Sequence, residues 1–136
     1  MTVPLLDTHA WVWWVDRDAR IGRNAADFLD TLPVEERPYV AGISLWEVAM
    51  LVERGRLQFS VPLADWLEAA AHPRSVRVVS ITPTIAAEVA ALPKSFHRDP
   101  ADRLIVATCR VMQVPLITHD QRIRRSRLVK RWRPAS

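Results

Sequence analysis

The chain has 136 residues, a length that suits one domain able to bury a core without covalent staples. Its single cysteine, Cys109, excludes an internal disulfide and a cysteine-rich zinc site, and points to a reducing compartment, the cytoplasm. The net charge of +4 hides a contrast: residues 122–133 carry seven Arg and Lys and no acid, against 12 basic and 15 acidic residues elsewhere. A basic tail is often merely solvated, but beside a mildly acidic body it also suits a polyanion.

Val3-Pro4-Leu5-Leu6 reads as a short buried strand that ends at Asp7. A Trp- and Val-rich helix comes next over residues 9–16, and Ile21, Ala25, Phe28, Leu29 and Leu32 repeat as one face of a second helix. Tyr39-Val40-Ala41 is a weak strand, and residues 45–54 form a helix with Leu45, Val48, Ala49 and Val52 on one face and Gly55 as its stop. Further helices are expected at 63–71, 83–92 and 101–112, with strands at 76–81 and at Leu116-Ile117 and a last edge strand at Leu128-Val129. Short apolar strands alternating with helices imply an α/β fold with a mostly parallel sheet covered on both faces. No uncharged apolar stretch is long enough for a bilayer, and no basic segment leads into an apolar run, so neither an anchor nor a signal peptide is expected. Residues 1–136 read as a single domain.

Open parallel sheets bind ligands at the C-terminal ends of their strands. Asp7 comes directly after the first strand, Asp120 lies just past the last apolar strand, and Glu47 and Asp102 fall in the first turns of predicted helices. Each has a structural use. Ser44-Leu45-Trp46-Glu47 fits a capping box, and Asp99-Pro100-Ala101-Asp102 is a good helix start with Asp99 as cap. Asp7 can cap the first helix and Asp120 a short terminal one. Capping, however, needs only a short polar side chain. Four acids that converge would repel one another unless cations or protons neutralised them. Hard divalent ions accept oxygen ligands and bind phosphate beside protein carboxylates, a combination suited to phosphodiester hydrolysis.

Four stretches carry a resemblance: Leu5-Leu6-Asp7-Thr8-His9-Ala10; Ile43-Ser44-Leu45-Trp46-Glu47-Val48-Ala49; His97-Arg98-Asp99-Pro100-Ala101-Asp102-Arg103-Leu104-Ile105-Val106-Ala107; and Leu116-Ile117-Thr118-His119-Asp120. In this order and spacing the chain resembles a PIN domain, most closely a VapC-type toxin of a toxin–antitoxin pair. The resemblance implies a PIN-like three-layer sandwich. It implies a Mg2+- or Mn2+-dependent endoribonuclease that cleaves RNA with a metal-activated water, a cognate antitoxin and a homodimer. It carries metal-binding and catalytic roles to Asp7, Glu47, Asp102 and Asp120. Thr8, Asp99 and Thr118 flank them, with Asp99 chiefly a cap.

His9, His97 and His119 border the acidic motifs without the spacing of a local metal pair, and read as supporting or structural. Arg103 reads as a surface ion-pair partner. Trp11, Trp13 and Trp14 cannot all face one core from one helix, and Trp46 with Met50 forms a second apolar stripe, so an interface with antitoxin or a second copy is expected beside a core role. The rival functions are a PIN nuclease acting on DNA or structured nucleic acid, and a non-catalytic RNA- or protein-binding module on the same scaffold. A phosphoryl-receiver domain is disfavoured because neither Lys94 nor Lys130 sits after a suitable strand.

Overall fold

The computed structural model describes residues 3–134. Leu5–Leu6 (β1) leads into Thr8–Val15 (α1). A 3-10 turn at Ala19–Ile21 precedes Arg23–Thr31 (α2). Tyr39–Ala41 (β2) runs directly into Gly42–Glu53 (α3), with Leu63–Ala70 (α4) beyond it. Arg77–Val79 (β3), Pro83–Ala91 (α5), Pro100–Met112 (α6), Leu116–Ile117 (β4) and Gln121–Ser126 (α7) complete the order.

The four strands form one parallel sheet in the order β3-β2-β1-β4. Leu5 pairs with Tyr39 on one side and Leu116 on the other, and Leu6 pairs with Val40 and Ile117. Strand alternation then divides the core. Leu6, Val40 and Ile117 face a cluster with Ala10, Trp11, Leu29, Val48 and Trp66, while Leu5, Ala41 and Leu116 face Leu92, Ile105, Val106 and Ile123. This is the three-layer α/β arrangement expected from the alternating pattern. The chain moves outward from β1 to β2 and β3, then crosses to β4 on the other side of β1. The topological switch point therefore lies between β1 and β4, where an open sheet forms its ligand crevice.

Local chemistry sets the helix starts. Asp7 accepts the Ala10 N–H at 2.8 Å, Asp99 accepts that of Asp102 at 3.0 Å ahead of Pro100, and Asp120 accepts that of Ile123 at 3.0 Å. The expected capping box does not form. Helix α3 begins at Gly42 with no side-chain cap, because β2 feeds straight into it. Ser44 and Glu47 thus lie inside the helix, Glu47 past its first turn, and both turn to Thr8 instead. The expected edge strand at Leu128-Val129 is displaced. The contact with β4 is made by residues 130–132, where Leu116 N–H bonds Lys130 O and Trp132 N–H bonds Leu116 O, both at 2.9 Å.

The core absorbs most of the tryptophans. Trp11 is wholly buried, with its Nε1–H on Ala70 O at 3.1 Å. Trp66 is buried too, stacked on Phe59 at 4.3 Å and bonded to Asp16 at 2.9 Å. Trp13, Trp14 and Trp132 pack partly buried against the same cluster. Trp46 stands apart at 51 % exposed. No helix among the described residues is long and apolar enough to cross a membrane.

Candidate metal centre

Asp7 leaves the C-terminal end of β1 and is buried. Thr118, just past β4, donates its hydroxyl to Asp7 Oδ2, so both carboxylate oxygens of Asp7 are held, one by a helix N–H and one across the switch point. The Thr118 hydroxyl also accepts the Asp120 N–H at 3.0 Å, which ties the loop after β4 into the same corner. Arg124 grips the Thr118 carbonyl through Nε and Nη2 at 3.1 and 3.0 Å. On the other flank Thr8 donates to Glu47 Oε1, and its hydroxyl pairs with that of Ser44 at 2.8 Å. Two threonines thus each fix one carboxylate, and each bond joins segments far apart in sequence.

A cleft of about 670 Å³ opens over this corner, lined by Glu47, Asp99, Asp102 and Asp120 together with His9, Trp46, Met50, Arg54, Arg56 and Arg122. Asp7 is buried and does not line the cleft. The electrostatics record how crowded the acids are. Burial pushes the Asp102 carboxyl up to about 8, with further upward pressure from Asp99, Asp120, Glu47 and Asp7. Burial likewise raises Asp7 against its Thr118 and Ala10 hydrogen bonds, and raises Glu47 against its bond from Thr8. Four carboxylates from four segments therefore share one field. A divalent cation would relieve both their desolvation and their repulsion.

The histidines part company. His9 lines the cleft. His119 turns away from it, edge-on to Trp13 with centroids 5.5 Å apart, and faces a basic pocket lined by Arg23, Arg124 and Arg131. Burial and those last two arginines hold its pKa below the usual value. His97 comes to rest with Nε2 3.1 Å from Asp102 Oδ2. His97, Asp102 and Asp120 each offer one ligand atom within 4.8 Å of the others, a cluster of oxygen and nitrogen donors that fits a divalent cation.

Arg103 does not form the expected surface ion pair. Its Nη1 donates to the carbonyls of Phe96 and His97 at 2.9 and 3.1 Å, clamping the loop ahead of α6. Arg54 and Arg56 were not singled out from the sequence. Arg54 lies seven positions after Glu47, so helical periodicity places it on the same face, and that signal was available.

A parallel α/β sheet with a carboxylate-lined cleft beside its switch point defines the class of α/β proteins with an acidic pocket able to take a divalent cation. The PIN domain family model matches residues 5–127, and the chain belongs to that family. It is 41 % identical over 127 residues to Ribonuclease VapC22 of Mycobacterium tuberculosis, covering 93 % of this chain and 94 % of the relative. Its fold is similar to that of a chain in the crystal structure of VapBC2 from Rickettsia felis bound to a DNA fragment from their promoter, with TM-score 0.70, 13 % identity and coverage of 96 % and 97 %. It is also similar to a chain of a toxin–antitoxin complex from Klebsiella pneumoniae, with TM-score 0.58, 20 % identity and coverage of 86 % of each chain.

Proposed function

We propose that this chain is a Mg2+- or Mn2+-dependent endoribonuclease, the toxin half of a toxin–antitoxin pair, acting in the cytoplasm as a single domain over residues 1–136. The observation that carries the reading is the gathering of Glu47, Asp102 and Asp120 around one cleft with Asp7 beside them, where burial first and the neighbouring acids after it push Asp102 up to about 8. The identity with a protein named a ribonuclease supports the activity. The fold held in common with two toxin–antitoxin complexes supports an inhibitory antitoxin as partner. A homodimer is part of the same proposal, with exposed Trp46 a candidate contact for either partner.

Asp7, Glu47, Asp102 and Asp120 would hold the cation. When bound, a divalent ion supplies positive charge to phosphoryl and leaving-group oxygens and acidifies water. The protein's own part is preorganisation. Thr118 and the Ala10 N–H keep the Asp7 carboxylate from rotating, and Thr8 does the same for Glu47. Asp120 keeps its place through its own N–H bond to Thr118 and its cap on α7. Arg54, Arg56 and Arg122 on the cleft wall would bind the phosphates on either side of the scissile one.

The test uses purified protein with Mn2+ and matched single-stranded RNA and DNA. RNA alone should be cut. Asp7→Asn and Asp102→Asn should each lower the rate by about 100-fold or more, with circular dichroism unchanged. Undiminished cleavage in both variants would overturn the assignment. Cleavage of DNA alone would favour the DNA-directed rival.

A further inference from the structure

We propose that His97 is itself a metal ligand, its Nε2 joining Asp102 and Asp120 around the cation and giving the site a mixed oxygen–nitrogen donor set that favours transition-metal ions over Mg2+. This rests on the metal-dependent reading above and extends it to a residue outside the four acids. Three observations converge on His97.

The first is its satisfaction. Both ring nitrogens are out of contact with solvent and neither has a hydrogen-bond partner. A buried polar group left unpaired costs about 1–3 kcal/mol, so a polar ring held in that state has a use for its lone pair. The second is the form of its contact with Asp102. The 3.1 Å separation is short enough for a hydrogen bond, yet Nε2 makes none. An imidazole that pairs with a carboxylate directs its N–H along the line to the oxygen. Two ligands of one ion instead sit side by side with their lone pairs aimed at a third point. For metal–ligand bonds of about 2.1 Å, neighbouring ligands around an octahedral ion lie about 3 Å apart. The Asp120 carboxylate completes a group whose ligand atoms all lie within 4.8 Å of one another.

The third is rigidity. The Arg103 guanidinium holds the Phe96 and His97 carbonyls, and the buried Phe96 ring lies edge-on to the imidazole with centroids 4.6 Å apart. A ring fixed from its backbone and from one side is preorganised for a ligand. Imidazole suits later transition ions better than Mg2+, which takes oxygen donors and keeps its waters.

The test is pulsed electron paramagnetic resonance of Mn2+ bound to the full chain, read for nitrogen modulation from a directly coordinated imidazole. The wild type should show it. His97→Gln should lose it and bind Mn2+ on the order of tenfold more weakly, with Mg2+ affinity changed by less than about threefold. A double variant, His9→Gln with His119→Gln, should keep it, which decides the matter even if His97→Gln fails to fold. Bound Mn2+ without nitrogen modulation overturns the ligand role alone, since cleavage and binding would then persist. Modulation that survives His97→Gln, or disappears in the double variant, overturns it too. A wild type that binds no Mn2+ overturns both this proposal and the metal-dependent nuclease.

Discussion

Three of the four carboxylates hold a helix N-terminus or sit in its first turn, and that double duty shapes what substitutions will do. Asp7 and Asp120 cap α1 and α7, and Asp99 caps the helix that carries Asp102. Asparagine preserves a cap and removes the charge, whereas alanine removes both at a cost of about 1 kcal/mol. Asp99 is not a cap alone. It lines the cleft, and after burial it is the leading cause of the rise at Asp102. Asp102 sets a pH signature. Its folded pKa of about 8 lies above the ordinary value of 3.8, so the folded state binds the proton more tightly than the unfolded chain. The stabilisation from that proton is complete below pH 3.8, declines as pH rises, and is gone above about 8. Metal-free protein in chelator should therefore lose stability between about pH 5 and about 8, by about 1 kcal/mol or more, and Asp102→Asn should flatten the decline. Thermal melts across that range measure it; a wild-type profile that rises with pH would refute it. Thr118 offers a second test. Thr118→Val deletes the donor to Asp7 and the acceptor for Asp120 N–H, and should cost about 1–3 kcal/mol in chemical denaturation and lower cleavage at least tenfold. Thr118→Ser should retain most of both.

At the scale of elements, the site depends on how abruptly strands become helices. β2 enters α3 without a loop, and a Cβ on Gly42 would stand 3.3 Å from the Val79 carbonyl, so the helix starts hard against β3. That start places Glu47 in the second turn, facing Thr8 rather than its own N-terminus. Helix α7 has six residues, too few to persist alone. It is held by the Asp120 cap, by burial of Ile123 and by the Arg124 grip on Thr118 O. The expected single helix through Ile21 and Leu32 is broken at Gly22, whose φ of +94° and ψ of 141° favour glycine. Gly22→Ala should cost about 1–3 kcal/mol by urea unfolding, with little change in cleavage per folded molecule. A neutral effect would mean that the 3-10 turn and α2 can merge.

Across the whole molecule the charge contrast of the sequence becomes a spatial one. The tail from residue 122 does not trail away: it supplies Arg122 to the acidic cleft, Arg125 to the pocket beside Phe96 and His97, and Arg124 and Arg131 to the pocket beside His119. A strand of RNA crossing the acids would meet arginines on both flanks. Its affinity, measured with Ca2+ in place of a catalytic ion, should fall linearly on a log–log plot against salt. Arg122→Gln with Arg125→Gln should lower that slope by about 1–2. An unchanged slope would place the strand elsewhere.

The sequence alone carried the α/β class and the order of the elements, and it marked four acids at strand ends and helix starts, because burial period, strand-end position and motif spacing are written locally. The caps at Asp7, Asp99 and Asp120 were equally legible, since a cap reaches only three residues ahead. What the sequence left open was long-range. Ser44 and Glu47 looked like a local box and proved to serve Thr8; Arg103 looked like a surface charge and proved to clamp the His97 loop. The Thr8 partner cannot be seen from spacing, because Thr8 and the start of α3 meet only when β1 and β2 pair, and the Arg103 clamp depends on how the loop ahead of α6 folds back on it. The tertiary structure also sorted the histidines, setting His119 against Trp13 in a separate basic pocket and His97 against Asp102. The strand order placed Asp7 and Thr118 across one switch point, and that neighbourhood turns well-spaced acids into a single field.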